Sequence, residues 1–215
     1  MTDQKTKFEN RTTHFFDRMA SRYDSHISRF YFESLYQKIV ETIQEEKLVQ
    51  PKMRVLDVAC GTGEVVLRLA RRYPESTFWG VDGSRQMITE AKNKIGDLRN
   101  ISFVVSNAEE VPFDEDSFDL IISSEAFHHF WEPQEVLLVL AQKLKEEGRL
   151  LLVDPGADTF LQRLIFRYLG RIFEVHKHIY DQGELKQLLE NTGFAVEKVF
   201  TYHLNNFILG KKIGA

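Results

Sequence analysis

Glycines and carboxylates lie close together along one stretch of the chain, in an order that suits the binding of a nucleoside. Residues 57–63 read Asp-Val-Ala-Cys-Gly-Thr-Gly. Gly61 and Gly63 let the backbone pass close to a ligand, and Asp57 places a carboxylate just before the turn. That carboxylate would repel a pyrophosphate but suits a ligand that carries an ammonium group. The pattern therefore indicates a site for a nucleoside without phosphates.

Three positions farther along the chain add the contacts that a nucleoside needs. Asp82 follows Gly61 by 21 positions, close to the offset of about 20 at which an acid accepts hydrogen bonds from ribose hydroxyls. Asn107 provides an acceptor for an adenine amino group, and the backbone of Ala108 is placed to meet the edge of the ring. Val66 stands where a dinucleotide fingerprint has its third small residue, which disfavours a nicotinamide oxidoreductase and leaves it as an alternative.

These residues need a scaffold of alternating strands and helices, and the sequence predicts one. Short β-branched runs alternate with amphipathic stretches, as in a parallel sheet with helices on both faces. Leu204 and Asn205 join the last two strands, a connection too short for a parallel crossover, so this pair is expected to be an antiparallel hairpin. The predicted strands are 53–58, 77–81, 101–105, 118–123, 149–154, 194–202 and 206–211.

The predicted fold class is therefore doubly wound α/β. It consists of a mostly parallel seven-stranded sheet with an antiparallel C-terminal hairpin and an N-terminal helical addition. In such sheets ligands bind beyond the carboxyl ends of the strands, where the strand order reverses. The glycine turn and the acids listed with it all follow predicted strands, so we expect them to meet at that edge.

The composition is that of an ordinary globular protein. Of the 215 residues, 43% are hydrophobic and 28% are charged, which provides apolar material for a sizeable core. The formal net charge of -4 disfavours a nucleic-acid binder. A single cysteine, Cys60, excludes an intrachain disulfide, and no secretory leader is predicted, so the expected location is the cytoplasm. No apolar run approaches the roughly 20 residues that span a bilayer.

The motifs at these positions resemble those of the Rossmann-fold S-adenosylmethionine-dependent methyltransferases. Within that superfamily the chain is most similar to the branch that contains the ubiquinone and menaquinone biosynthesis methyltransferases (methyltransferase type 11). The matching segments are 16–24, 55–63, 80–84, 107–113, 118–124, 126–130 and 144–153. Residues 1–50 are then a helical cap, and residues 51–215 the methyltransferase domain, with a lid insertion near 155–180.

The resemblance implies S-adenosylmethionine as the cofactor, S-adenosylhomocysteine as its product, and a role for each matching residue. The implied roles are Asp57, Gly61 and Gly63 for methionine, Asp82 for ribose, Asn107 and Ala108 for adenine, Ser124 over the sulfonium, and Arg22 and Tyr23 as cover. Most members carry an acid where Asn107 stands, and asparagine keeps one acceptor oxygen there.

Methyl transfer to an oxygen or an activated carbon requires that the acceptor lose a proton. The candidate bases are Glu125, His128, His129 and His176. We favour His128 and His129 as catalytic residues, because both follow the fourth predicted strand and imidazole titrates near neutral pH. The alternative that this histidine pair only supports the structure of its loop stays open. No ligand set for a metal ion is predicted.

Residues 160–173 combine an apolar stripe with Arg163, Arg167 and Arg171, which recur every four positions. Such a helix either lies on an anionic membrane surface or packs on its own domain as a substrate lid, and we favour the lid. Its apolar content predicts a small, partly apolar or aromatic methyl acceptor. The alternative function is a cofactor-binding or membrane-associated regulatory protein without catalysis. The oligomeric state is left open.

Overall fold

The computed structural model describes residues 2–24, 26–160, 162–164 and 177–214. Of the predicted amphipathic segment 160–173, only residues 160 and 162–164 belong to this set, and His176 lies outside it. The hypotheses of a lid or a membrane contact at 160–173 therefore stay predictions. No helix among the described residues is long and apolar enough to cross a membrane.

Seven strands form one mixed sheet in the order β3-β2-β1-β4-β5-β7-β6. Strand β7 is antiparallel to both of its neighbours, and the pairs on the other side of β5 are all parallel. The predicted fold class and its C-terminal hairpin are confirmed. The strands are β1 (Arg54–Val58), β2 (Thr77–Asp82), β3 (Ile101–Val105), β4 (Phe118–Ser124), β5 (Leu144–Pro155), β6 (Phe194–Tyr202) and β7 (Asn205–Lys212).

Six long helices accompany the sheet within the described residues. Two of them precede β1, as the helical pattern of the first 50 residues predicts. The helices are α1 (Thr2–Tyr23), α2 (His26–Glu45), α3 (Glu64–Arg72), α4 (Arg85–Asn93), α5 (Pro133–Lys143) and α6 (Gln182–Asn191). Pro133 opens α5, where its missing N–H costs no hydrogen bond. Asp181 caps α6 by accepting a hydrogen bond from the Glu184 N–H at 2.9 Å.

The hydrophobic core lies on both faces of the sheet, because successive strand residues point to opposite sides. One face packs against α2, α3 and α4, and the other against α5 and α6. In β1, Val55 belongs to the first cluster and Leu56 to the second, and both are fully buried. Strands covered on both faces read as continuous apolar runs, which is why β4 and β5 were recognisable in the sequence.

Strand β5 begins at Leu144, five residues before the predicted start. Leu144 pairs with Phe118, the register then shifts, and the next pair is Leu120 with Arg149. Between the two pairs, Glu147 adopts a left-handed φ of 65°. The charged residues of this irregular stretch resemble a loop in sequence, whereas their backbone continues the strand.

Candidate active site

A cleft opens at the carboxyl ends of β1 and β4, where the strand order reverses. Its empty space, including the open mouth, is about 1080 Å³, which is room for a nucleoside and a second small molecule. The glycine turn and the residues after β2 and β3 form one side, and α1 forms the opposite side. The residues from α1 on the cavity wall are Glu9, Thr12, Thr13, Phe16 and Tyr23.

The turn after β1 has the left-handed backbone that its glycines permit. Ala59, Gly61 and Gly63 have φ values of 56°, 52° and 77°. The Gly61 N–H donates to Asp82 Oδ2 at 2.9 Å, and the Ser84 N–H donates to Asp82 Oδ1 at 2.8 Å. Burial raises the pKa of Asp82, and these two backbone hydrogen bonds oppose the rise. One carboxylate thus joins the turn to the start of α4 while facing the cavity.

The two glycines of this turn serve different purposes. A Cβ at Gly61 would meet no atom within 4 Å, so its backbone faces open space at the cavity. A Cβ at Gly63 would lie 2.7 Å from Cζ of Phe103. Gly63 is buried and does not line the cavity. The first glycine therefore leaves room for a ligand, and the second leaves room for a core side chain.

Asp57 lies in β1 beneath the turn and is 1% exposed. Its Oδ1 atom is buried and makes no hydrogen bond within the described part of the chain. Burial raises the pKa of Asp57 well above its usual value, and the neighbouring Asp82 adds to the rise. Asp57 is not on the cavity wall. A buried carboxyl oxygen without a partner is costly, and here it lies close to a cavity with room for a cationic ligand.

Side chains hold α1 over the cavity. Asp17 accepts hydrogen bonds from Ser84 Oγ at 2.5 Å and from the Gln86 N–H at 3.2 Å, both at the start of α4. Lys5 Nζ donates to Glu132 at 2.8 Å. These contacts connect the helix to the residues that follow β2 and to those that follow β4.

A second group of polar contacts lies just beyond the end of α1. Asp24 accepts a hydrogen bond from Thr62 Oγ1 at 3.1 Å and pairs with Lys94. Lys94 Nζ also donates to the Thr62 carbonyl at 3.1 Å and to Glu64 at 2.9 Å. The ammonium of Lys94 therefore ties the residue after α1 to the glycine turn.

The segment after β4 is positioned by Asp154, which is fully buried in β5. Its carboxylate accepts hydrogen bonds from the N–H groups of Phe127 at 3.0 Å and His128 at 3.1 Å. His128 Nδ1 lies 3.0 Å from Asp154 Oδ1. Burial lowers the pKa of His128 to about 3, so its ring is neutral at physiological pH and a weak base. His128 supports the structure of this turn and is not on the cavity wall.

His129, by contrast, lines the cavity. Its ring meets Phe16 of α1 edge-on, with 5.0 Å between the ring centroids. Trp131, two residues on, contacts Phe8 of α1 with centroids 5.5 Å apart. The segment after β4 therefore forms an aromatic wall together with α1.

Glu125 also lines the cavity, at the end of β4. It has a left-handed φ of 55° although it is not glycine, and its N–H donates to the Val153 carbonyl at 2.8 Å. Its Oε1 atom is buried without a hydrogen-bond partner in the described chain. Burial raises the pKa of Glu125 well above its usual value, and Asp154 contributes to the rise.

Seven of the eleven predicted site residues are brought together on the cavity wall. They are Tyr23, Gly61, Asp82, Asn107, Ala108, Ser124 and His129. The other four lie elsewhere: Arg22 is exposed, and Asp57, Gly63 and His128 are buried off the wall. The wall residues Glu9, Thr12 and Thr13 of α1 were missed, because only the register of that helix against α4 selects them.

Carboxylates dominate the charge of the cavity wall. Glu9, Glu64, Asp82, Glu109 and Glu125 lie on it, and its described residues include neither lysine nor arginine. Burial raises the pKa of Glu9, and Glu109 adds to that rise. Such a wall suits a cationic or neutral ligand and disfavours a pyrophosphate. Among the residues that the structure describes, no cluster of three metal-binding side chains is present.

Comparison with known proteins gives a consistent result. A family profile described as a methyltransferase domain matches residues 50–193. The demethylmenaquinone methyltransferase of Thermotoga maritima is 33% identical over 178 residues, which cover 77% of this chain and 75% of that protein. The ubiquinone/menaquinone biosynthesis C-methyltransferase UbiE of Wigglesworthia glossinidia brevipalpis is 26% identical over 179 residues, which cover 80% and 68%.

Solved structures share the fold. The crystal structure of magnesium protoporphyrin IX methyltransferase from Synechocystis PCC 6803, with bound SAH, superimposes with a TM-score of 0.74. The match covers 98% of this chain and 99% of that chain at 18% sequence identity. At this identity the likeness establishes the arrangement of strands and helices and nothing about the substrate.

Proposed function

The chain belongs to the methyltransferase domain family as an S-adenosylmethionine-dependent enzyme, and we propose that it methylates a small, partly apolar aromatic molecule in the cavity beneath α1. The observation that carries the proposal is the cavity wall at the switch point of the sheet, which has five carboxylates and no described lysine or arginine. A sulfonium and an ammonium suit that wall. None of the relatives named above supports a regulatory protein or a nicotinamide oxidoreductase.

The residues fit S-adenosylmethionine on three counts. Gly61 leaves open space where a Cβ would stand, the Asp82 carboxylate faces the same space, and Asp57 keeps a buried oxygen without a described partner. We assign Asp82 to the ribose hydroxyls, Asp57 with the turn to the methionine ammonium, and Asn107 and Ala108 to the adenine. When bound, the cofactor supplies an electrophilic methyl group on a sulfonium.

The remaining assignments concern the cover and the conformation of the site. Ser124 is placed on the sulfonium side, and Tyr23 closes the cavity from α1. Gly63 acts on the cofactor indirectly, since it lets Phe103 pack under the turn. Arg22 is exposed, and its contribution to the cover stays a prediction. Residues 1–50 act as a cap on the methyltransferase domain, because α1 provides one whole side of the cavity.

The acceptor is proposed to be an apolar ring that carries a hydroxyl or an activated carbon. Phe16, His129 and Trp131 give the outer part of the cavity an aromatic surface, on which a flat ring stacks well. The nearest chemistry among the named relatives is the quinone precursor of the demethylmenaquinone methyltransferase. His129 is the sequence-based candidate for the base. We place the enzyme in the cytoplasm, in keeping with its single cysteine.

Calorimetric titration with S-adenosylhomocysteine tests this proposal, with NADH as the parallel ligand. We expect tight binding of the nucleoside product and none of the dinucleotide, because a pyrophosphate would face the carboxylates of the wall. Mass spectrometry of the protein mixed with S-adenosylmethionine and naphthohydroquinone, kept reduced under nitrogen, then detects the methylated ring. Binding of NADH in place of S-adenosylhomocysteine would contradict the proposal.

A further inference from the structure

Among the described residues of the cavity wall, Glu125 alone combines a left-handed backbone at a non-glycine residue with a buried, unsatisfied oxygen. Its φ of 55° lies in the left-handed region, which glutamate rarely adopts. Its Oε1 atom is buried and accepts no hydrogen bond from any described group. Backbone strain and an unsatisfied buried carboxyl both cost stability, so their combination in one residue points to a functional role.

The backbone of Glu125 is held by rigid elements rather than by a loose loop. The Glu125 N–H donates to the Val153 carbonyl in β5, and the next residues bind Asp154 through the N–H groups of Phe127 and His128. The backbone of Glu125 is therefore anchored at the ends of two central strands, β4 and β5. A group that must meet a reacting atom needs such support.

The charged and titratable groups around Glu125 come from four elements. Asp154 of β5 acts on Glu125 electrostatically. Tyr23 of α1 and Tyr36 of α2 both lie within electrostatic range of Glu125. Asp24 and Asp82 in turn act electrostatically on Tyr23. Tyrosines are neutral below their raised pKa values, and the rest are acids. The described groups thus include no cation to stabilise the ionised carboxylate, which favours proton uptake by Glu125.

We propose that Glu125 contacts the methyl acceptor and takes the proton that the acceptor loses on methylation. The proposal rests on the proposed function and names the residue that the reaction needs. A bond forms between the acceptor carbon or oxygen and the methyl carbon, and the carbon–sulfur bond breaks with its electron pair passing to sulfur. The acceptor's proton passes to the Glu125 carboxylate and then to water, so atoms and charge balance without an oxidant or reductant.

This assignment gives different roles to His129 and Glu125, the two candidate bases that line the cavity. His129 presents its ring to Phe16 and contributes to the aromatic wall, whereas Glu125, which also lines the cavity, provides a carboxyl oxygen that the described chain leaves unsatisfied. A carboxyl whose proton affinity is increased by burial is a stronger base than an exposed one. Receiving the proton removes the negative charge of this carboxylate, which is costly to keep buried without a partner.

The test compares Glu125→Gln, which keeps the shape of the side chain, with Glu190→Gln on the exposed face of α6. We expect Glu125→Gln to bind S-adenosylhomocysteine within about twofold of the wild type and to methylate naphthohydroquinone roughly a hundredfold more slowly, the size of effect that general-base catalysis provides. Its melting temperature should match or exceed that of the wild type. Glu190→Gln should change none of the three quantities.

Two more variants separate a base from a merely structural residue. Glu125→Asp retains a carboxyl and tolerates the left-handed backbone, so it should recover part of the rate and keep the pH dependence that Glu125→Gln loses. His129→Asn should retain that pH dependence. A larger rate loss in His129→Asn than in Glu125→Gln would assign the proton to His129 and overturn the proposal.

The remaining outcomes distinguish this inference from the proposed function. Failure of the wild type to bind S-adenosylhomocysteine would overturn both. Binding by the wild type with equal turnover in Glu125→Gln would overturn the inference alone. So would a melting temperature several degrees lower in Glu125→Gln, which would mark a structural role. Wild-type protein that binds the nucleoside but leaves naphthohydroquinone unmethylated would count against the proposed aromatic acceptor and, with it, against the proton transfer assigned to Glu125.

Discussion

The two sides of the cavity are built in different ways. The floor, defined as residues 59–63 with residues 82–84, is held by backbone N–H groups that donate to one carboxylate, Asp82. The roof, defined as α1, is held by side chains such as Asp17, whose partner Ser84 is 67 positions away. The floor therefore depends on residues at the ends of neighbouring strands, whereas the roof depends on pairs of side chains that are distant in sequence.

The largest effect is expected from breaking the floor at its carboxylate. Asp82→Ala removes the proposed ribose acceptor and the partner of the Gly61 N–H, so the affinity for S-adenosylhomocysteine should fall by about a hundredfold or more, as for the loss of two charge-assisted hydrogen bonds. Isothermal calorimetry measures the change, and Asp97→Ala at an exposed position is the control. Unchanged affinity in Asp82→Ala would refute the ribose assignment.

A comparison of two glycine-to-alanine variants tests whether packing against Phe103 makes glycine necessary in the floor. Gly63→Ala places a methyl group 2.7 Å from Phe103 at a φ of 77°, and should lower the free energy of unfolding by about 3 kcal/mol, as strain and overpacking add. Gly96→Ala also has a left-handed φ, 59°, but no atom within 4 Å of its Cβ, so it should cost only about 1 kcal/mol. Urea unfolding measures both, and equal losses would show that packing against Phe103 is unimportant.

The pH dependence of stability tests the raised pKa of Glu125, a wall residue that belongs to neither the floor nor the roof. The pKa of Glu125 is higher in the folded protein than in the unfolded chain, so the folded state binds the extra proton and stability is lost as pH rises through that folded pKa. Glu125→Gln should remove this part of the loss, on the order of 1 kcal/mol for each unit of pKa difference. Thermal unfolding from acid to alkaline pH measures it. Parallel curves for wild type and variant would contradict the raised pKa.

The smallest effect is expected from loosening the roof. Asp17→Ala removes the acceptor of the Ser84 hydroxyl and the Gln86 N–H, so hydrogen exchange in α1 should accelerate while global stability falls by roughly 1 kcal/mol or less. The affinity for S-adenosylhomocysteine should fall a few-fold. Asp3→Ala is the matched control on the same helix, because Asp3 pairs with Lys7 at the surface. Unchanged exchange in Asp17→Ala would mean that other contacts hold the roof.

The same contrast explains what could be predicted from the sequence. The floor was recognisable because Gly61 and Asp82 follow predicted strands at a fixed offset from each other, and parallel strands bring the residues that follow them to one edge of the sheet. The antiparallel hairpin followed from a connection too short for anything else. The predicted start of β5 was wrong, because the irregular, charged stretch that pairs there shows no alternation of apolar and polar residues.

Tyr23 apart, the roof residues on the cavity wall could not be predicted, for a physical reason. Thr12 and Thr13 face the cavity because contacts such as that of Asp17 with Ser84 set the register of α1 on α4, and those contacts join residues far apart in sequence. His128 was indistinguishable from His129 until Asp154 was seen to bind the one and leave the other on the cavity wall. The unsatisfied oxygen of Glu125 is likewise a property of three dimensions.

Phe103 changes how the glycines at positions 63 and 80 are interpreted. Its ring lies within 2.8 Å of the position that a Cβ would take at Gly63, and within 2.6 Å of that position at Gly80. One phenylalanine thus leaves no room for a Cβ at two glycines on two different elements, whereas Gly61 and Gly83 line the cavity. Positions 63, 80 and 103 are therefore coupled in size. A smaller side chain at 103 would remove the shortest contacts that alanine would meet at 63 and 80, although Cys60 Sγ lies 2.8 Å from the Cβ position at 80 and the φ of 77° at 63 still strains alanine. Part of what resembles a cofactor motif is therefore explained by the size of Phe103, which packs against Gly63 and Gly80.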